Sequence, residues 1–410
     1  MNIIAIIILA AIVVDFTLEI ISNRLNMKSL SKELPDEFAG VYDEETYAKS
    51  QEYTRVRTKF GFITGTFDLL LLLGFWFSGG FNWLDQWARS FDYGVIATGL
   101  IFIGALVIAK TIISLPFSLY STFVIEERFG FNKTDAKTFV ADRLKGLALS
   151  VLIGGPLLAG IIAFFVYGGA WAWLYAWLAV TAFSLIMQYV APTWIMPLFN
   201  KFEPLEDGEL RQAIESYAEK VDFPLQGIYV MDGSKRSSKS NAFFTGFGKN
   251  KRIALYDTLI ENHTTEELVA VLAHEIGHYK KKHIVKNMTI SIVHTGFMFV
   301  LLSIFLQVPA LFDAFFMEGM SVYAGLLFFG LLFSPVETIL GIFMQQMSRK
   351  HEYEADHFAA STIEKPEEMA NVLKKLSKDN LSNLTPHPFY VFLNYSHPPA
   401  LSRIEAIRTT

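Results

Sequence analysis

Seven long apolar runs dominate the chain, near residues 1–22, 61–83, 96–118, 146–167, 171–192, 286–308 and 323–345. Each is close to the roughly 20 residues that an α-helix needs to cross the hydrocarbon core, so the pattern predicts seven membrane spans. Lysine and arginine gather in four of the polar connections, 23–60, 126–145, 200–283 and 349–410. The others are nearly bare: 84–93 carries Arg89 alone, 168–170 is uncharged, and 309–322 holds Asp313 and Glu318 without a cation. Basic and bare segments alternate around the spans as the positive-inside rule requires. The N-terminus is therefore expected outside, with the C-terminus and all large polar segments in the cytoplasm. The first run opens Met1-Asn2-Ile3-Ile4 with no basic leader and no small-residue cleavage site, which favours a retained span over a signal peptide.

Two of the polar segments are large enough to fold. Residues 200–283 read as a helix from Leu205 to Val221, short strands at Ile228–Met231, Asn241–Thr245 and Arg252–Tyr256, and a further helix. Gly246-Phe247-Gly248-Lys249-Asn250-Lys251 supplies the turn of a hairpin. Residues 346–410 read as helical, interrupted by Pro386, Pro388 and Pro398-Pro399. The predicted organisation is spans one to five with their loops over 1–199, a cytoplasmic lobe over 200–283, spans six and seven over 284–345, and a C-terminal piece of the same lobe over 346–410. The fold class is thus predominantly α, a seven-helix integral membrane protein carrying a cytoplasmic α+β lobe.

Composition agrees: 52% of residues are hydrophobic, 15% aromatic and only 18% charged. A formal net charge of -5 offers no general pull toward nucleic acid. With no cysteine in the chain, thiolate metal clusters, cysteine nucleophiles and palmitoylation are excluded, and any metal must sit on histidines and carboxylates. Asp15, Glu19, Asp68, Lys110, His294 and Glu337 fall inside the apolar runs. Against lipid each is costly, so they are expected to face a wet cavity, the alternative being mutual pairing in a dry bundle, with Asp15, Glu19 or Asp68 as partner of Lys110.

The chemistry lies in His274-Glu275-Ile276-Gly277-His278. Histidines at i and i+4 share one helix face and leave the intervening glutamate to take a proton from a water on the metal they hold. Thr264 and Glu267 form a capping box that would open this helix. A tetrahedral zinc site with one open position needs a third protein ligand. Spans six and seven form a hairpin centred near residue 315, so His278 and Glu352, each 37 positions from that centre (315 − 278 and 352 − 315), return to the same depth. Glu352 and Asp356 share a helix face, whereas Glu354 points about 160° away from Glu352. One of the pair can bind the ion while the other braces a histidine, the role given to Asp356. Asn241 begins a strand whose edge can hold an extended peptide by backbone pairing; a turn asparagine ahead of a core strand is the alternative.

Beyond these residues the chain resembles the type I CAAX prenyl endopeptidases, seven-span zinc metallopeptidases of the gluzincin kind. The likeness is carried by Tyr47-Ala48-Lys49-Ser50-Gln51, Glu127-Arg128-Phe129-Gly130-Phe131-Asn132, Asn241-Ala242-Phe243-Phe244-Thr245-Gly246, the His274 motif, the 352–356 segment, and Ser396-His397-Pro398 with Arg403. The resemblance implies Glu352 as the third zinc ligand rather than Glu354 or Asp356, His397 as a donor to the oxyanion, Arg403 as a partner of His397 or of a substrate carboxylate, and a water-filled chamber inside the seven helices.

The expected function is a membrane zinc endopeptidase that cuts peptides near their C-terminus, with or without a prenyl group, using one zinc ion and Glu275 as base. Its partners are then a peptide or protein substrate and membrane lipid, with no nucleic acid. A membrane-protein quality-control protease is the near alternative. A metal or solute transporter is a distant one, because the inverted repeats and broken helices it calls for do not appear. Lys280, Lys281 and Lys282 hold the motif near the interface and disfavour a site deep in the bilayer. No retention signal stands out in 401–410, which points to a bacterial member in the cytoplasmic membrane; the endoplasmic reticulum would suit a eukaryotic one.

Overall fold

The computed structural model describes residues 1–245 and 251–409. Seven helices long and apolar enough to cross a membrane appear among them: Ile3–Lys28, Glu44–Phe77, Val95–Glu126, Ala136–Tyr167, Gly169–Phe199, His283–Phe305 and Val322–Thr362. All seven predicted runs are found, and several helices extend well beyond their apolar part. The second begins at Glu44, capped by the Asp43 side chain on the Thr46 N–H, and the seventh continues unbroken from Val322 to Thr362, 41 residues in all. At 1.5 Å per residue that rod is roughly 60 Å long, about twice the hydrocarbon thickness. It therefore carries one stretch of chain from the far side of the membrane into the polar lobe.

Fully buried residues lie near the ends of most spans, the sixth adding Gly296 near its middle. In the second helix Tyr47, Ser50, Gln51 and Tyr53 are buried at one end and Trp76 at the other, with nothing buried between. The third buries Thr98, Gly99, Phe102 and then Ile125; the stretch 136–167 buries only Phe139 and Ile162. A solid bundle would bury one face along the full length of each helix. These helices instead enclose a chamber, closed at each end by a packed layer. At the end holding the short helices Gly80–Arg89 and Pro309–Asp313, Trp76, Phe81, Phe102, Phe315, Tyr323 and Phe328 form an aromatic plug. The Trp76 indole N–H donates to the Ala314 carbonyl at 2.7 Å, and Phe315 stacks on Phe328 at 3.9 Å.

Polar groups within the spans meet across this interior. Lys110 pairs with Asp68, His294 Nε2 lies 3.2 Å from Glu337 Oε1, and the Thr338 hydroxyl donates to Asp15 at 3.2 Å. The Lys110 and Asp68 side chains stay half exposed, at 49% and 52%, and Lys110 thus takes one of the partners expected for it.

The opposite end is closed by the polar lobe. Four strands, β1 (Phe202–Pro204), β2 (Leu225–Met231), β3 (Ala242–Thr245) and β4 (Lys251–Tyr256), form one sheet in the order β1-β2-β4-β3. β2 runs parallel to β4, while β1 on β2 and β3 on β4 are antiparallel. Three strands match the sequence pattern. β1 is too short to show a period of two, and its Pro204 is compatible with an edge position. The turn expected over 246–250 lies outside the described residues. Helices Glu209–Lys220, Thr265–Lys280, Glu367–Asp379 and Ala400–Arg408 pack with this sheet around one core that includes Ile214, Ile253, Leu255, Leu272, Val372 and Ile404, so 200–283 and 346–410 do build a single lobe.

Replacing Trp76 with alanine removes the centre of the aromatic plug and an interhelical hydrogen bond. Such truncations of buried tryptophan cost about 3–5 kcal/mol. The thermal unfolding midpoint of the detergent-solubilised protein is expected to fall markedly, with metal binding by the folded fraction unchanged.

Candidate metal centre

The helix Thr265–Lys280 starts at Thr264, whose hydroxyl accepts from the Glu267 N–H at 3.3 Å while the Glu267 carboxylate accepts from the Thr264 N–H at 2.9 Å. This is the capping box expected from sequence, and Lys375 anchors Glu267 from the side at 2.7 Å. The helix buries Leu268, Val271, Leu272 and Ile276. It lies against the seventh helix at Gly277: a Cβ there would stand 3.0 Å from both the Cα and the carbonyl oxygen of Ala355. Only a residue without a side chain lets the two backbones approach so closely.

That approach sets Glu352 between the two histidines. His274 Nε2 and His278 Nε2 are 3.1 Å apart, Glu352 Oε2 is 3.4 Å from the first and Oε1 3.3 Å from the second. One ligand atom from each of the three residues lies within 4.8 Å of the others. Donors about 2.05 Å from a tetrahedral ion stand roughly 3.3 Å apart, so the observed spacing fits such a centre. Glu352 Oε2 is buried without a hydrogen-bond partner, a costly state that a cation would relieve. His274 Nδ1 lies 2.8 Å from Asp356 Oδ1, which leaves its Nε2 lone pair for the ion and places Asp356 where a bracing acceptor was expected. Asp356 is held in turn by Arg403, whose Nε and Nη2 donate to its two oxygens at 2.7 and 2.6 Å. Arg403 Nη1 lies 3.4 Å from Glu352 Oε2. The partner of Arg403 is therefore Asp356, on the helix that carries Glu352.

The electrostatics suit a cation. Burial works to lower the His274 pKa, but the neighbouring Asp356 and Glu352 carboxylates override it and raise the value to about 9. The pocket thus attracts positive charge, and a ligated metal would take the place of the proton. Burial pushes the Glu275 carboxyl above its ordinary value, with His274 and His278 opposing; an acid so raised is better matched to both taking and releasing a proton. Burial also opposes the charge on Arg403, yet Asp356 and Glu352 raise its pKa, so the guanidinium stays ionised.

His274, Glu275, Glu352, His397, Asn241 and Arg403 line one cavity of about 200 Å³. The His397 imidazole is at its accessible mouth, with Nε2 3.4 Å from Glu352 Oε1 and Nδ1 2.9 Å from the Ser396 hydroxyl. Asn241 enters β3, the last strand of the sheet, and its amide oxygen accepts from the Ala242 N–H at 2.9 Å. Sequence reasoning passes over His283, whose Nδ1 lies 3.0 Å from His278 Nδ1 and whose Nε2 lies 3.0 Å from Glu354 Oε2. Glu354 does point away from Glu352, toward that histidine. A histidine five residues past the motif was the available signal, but Lys282 in the left-handed conformation (φ 59°) breaks the helix before it and hides the spacing.

A seven-span fold closed by a lobe with paired histidines and a carboxylate defines a membrane-embedded metallopeptidase. Residues 23–201 match the family described as CAAX prenyl protease N-terminal, five membrane helices, and residues 204–410 match peptidase family M48. The chain belongs to peptidase family M48 and, over nearly its whole length, to the CAAX prenyl protease 1 group within it. It is 39% identical to a CAAX prenyl protease 1 homolog of Oryza sativa subsp. japonica, over 91% of this chain and 90% of the relative. Identity to CAAX prenyl protease 1 of Saccharomyces cerevisiae is 36% over 94% and 90% of the two chains. The Homo sapiens homolog is 34% identical over 92% and 89%. The crystal structure of S. mikatae Ste24p superposes with a TM-score of 0.94 at 35% identity, covering 99% of both chains.

Gly277→Val is expected to force the two helices apart and draw Glu352 out of register with the histidines. Divalent-metal affinity, titrated against a chelator, should fall by roughly 10–100-fold, as when groups that orient a ligand are removed.

Proposed function

We propose that this protein is a zinc-dependent endopeptidase that cuts CAAX-type peptides near their C-terminus. The observation that carries this is the convergence of His274, His278 and Glu352 at tetrahedral spacing, beside a glutamate with a raised proton affinity. Two imidazoles and a carboxylate form a donor set typical of catalytic zinc, which would leave one position without a protein ligand. Zinc bound there supplies Lewis acidity toward a water and a peptide carbonyl.

Around it the protein's own side chains have distinct tasks. Glu275 receives the water proton and passes it to the leaving nitrogen. His397, at the cavity mouth, donates through Nε2 to the oxygen on which negative charge develops. Asn241 and the end strand β3 align an extended substrate by backbone pairing. Arg403 acts at one remove: it fixes Asp356, which fixes the His274 ring.

The substrate class is supported by the relatives' names. Positive charge on the connections supports an outside N-terminus and a cytoplasmic lobe.

Glu275→Gln is expected to retain zinc and lose cleavage by a factor of about 10²–10⁴, the usual contribution of a general base; undiminished hydrolysis by the purified variant would refute the assignment. Glu352→Ala should lose both metal and activity. Purified protein incubated with farnesylated and unmodified versions of one CAAX peptide tests the substrate: faster cleavage of the farnesylated form is expected, and turnover of neither would overturn the proposed specificity.

A further inference from the structure

The two ligand histidines are braced by different devices, and the second has a consequence for the tautomer of His278. An imidazole that ligates through Nε2 carries its proton on Nδ1 and needs an acceptor there. For His274 that acceptor is Asp356, at 2.8 Å. For His278 the group facing Nδ1 is another ring nitrogen, His283 Nδ1, at 3.0 Å. Two ring nitrogens at this distance bond only if one is protonated and the other is not. With His278 ligating, its Nδ1 is the donor, so His283 Nδ1 must accept and His283 must hold its proton on Nε2. Glu354 Oε2 lies 3.0 Å from that Nε2, where an ionised carboxylate can only accept. The three groups are therefore consistent in one proton arrangement, running from His278 through His283 to Glu354.

We infer that His283 and Glu354 are positioning residues for the metal centre: Glu354 selects the tautomer of His283, which in turn selects the metal-binding tautomer of His278. This rests on the proposed role of His278 as a zinc ligand. The surroundings are built to hold the relay. His283 is 2% exposed, and its ring stacks on that of His351 at 3.9 Å with 12° between planes. Glu354 also has Lys350 at 3.9 Å on its other oxygen. Residues 352, 354 and 356 on one helix thus serve the site in three ways: Glu352 faces the ion, Asp356 braces one histidine directly, and Glu354 braces the other through His283.

The test measures zinc affinity of the full-length protein in detergent, by competition with a chelator, alongside the thermal midpoint of the metal-free form. His283→Phe keeps a ring against His351 but offers no acceptor; its affinity should drop by about 10–100-fold, the range for loss of a group that orients a ligand, at an unchanged metal-free midpoint. His283→Asn places an amide oxygen close to the former Nδ1 and should restore affinity to within a few-fold of the original. Glu354→Ala should weaken zinc binding in the parent protein but add no further loss to His283→Asn, since Glu354 acts only through the imidazole. Wild-type affinity in His283→Phe, or equal losses in the Phe and Asn variants, would overturn the relay. If the Phe variant does not fold, the Glu354→Ala comparison decides alone, and additive losses there count against it. Failure of the parent protein to bind zinc would instead overturn the proposed function.

Discussion

The metal centre depends on the contact between two helix backbones at Gly277 and Ala355. One helix supplies both histidines and Glu275, the other Glu352, and the separation between them sets how far the carboxylate reaches. A side chain at 277 would meet main-chain atoms at 3.0 Å, and main chain cannot rotate aside as a rotamer can. The glycine inside the motif is therefore a geometric requirement of the third ligand rather than a filler between two histidines.

The seventh helix is a single rod that runs from the aromatic plug to the lobe and carries Glu352 at its lobe end. The plug around Trp76 and Phe328 fixes one end of the rod, and the contact with the motif helix fixes the other. Between them the spans hold few fully buried residues and meet at scattered contacts, such as the Trp177 indole N–H on the Ile292 carbonyl. Lys110 and Asp68 pair with each other within the spans, which lowers the cost of placing either charge there.

Charge is concentrated at the site in an ordered way. Arg403 sits among Asp356, Glu352 and Glu275 and balances part of an acidic cluster that would otherwise be costly to bury. What remains is a pocket that favours one more cation, with an unbonded carboxylate oxygen aimed into it. Removing water from these groups strengthens each interaction, which makes their exact partners matter more than their number.

The seven spans, the paired histidines, the capping box and the Glu352–Asp356 face were legible in the amino-acid order, because each is a local pattern of length, period or spacing along one helix. The family likeness rested on short motifs of the same local kind. Other features arise from approach between distant segments, which no periodicity encodes. They include the meeting of Gly277 with Ala355, the bond of Arg403 to Asp356 rather than to His397, and the three-residue strand β1. The pairing of His283 with Glu354 across 71 positions belongs with them: helical geometry correctly turned Glu354 away from Glu352, but only the folded arrangement put a second histidine in its path.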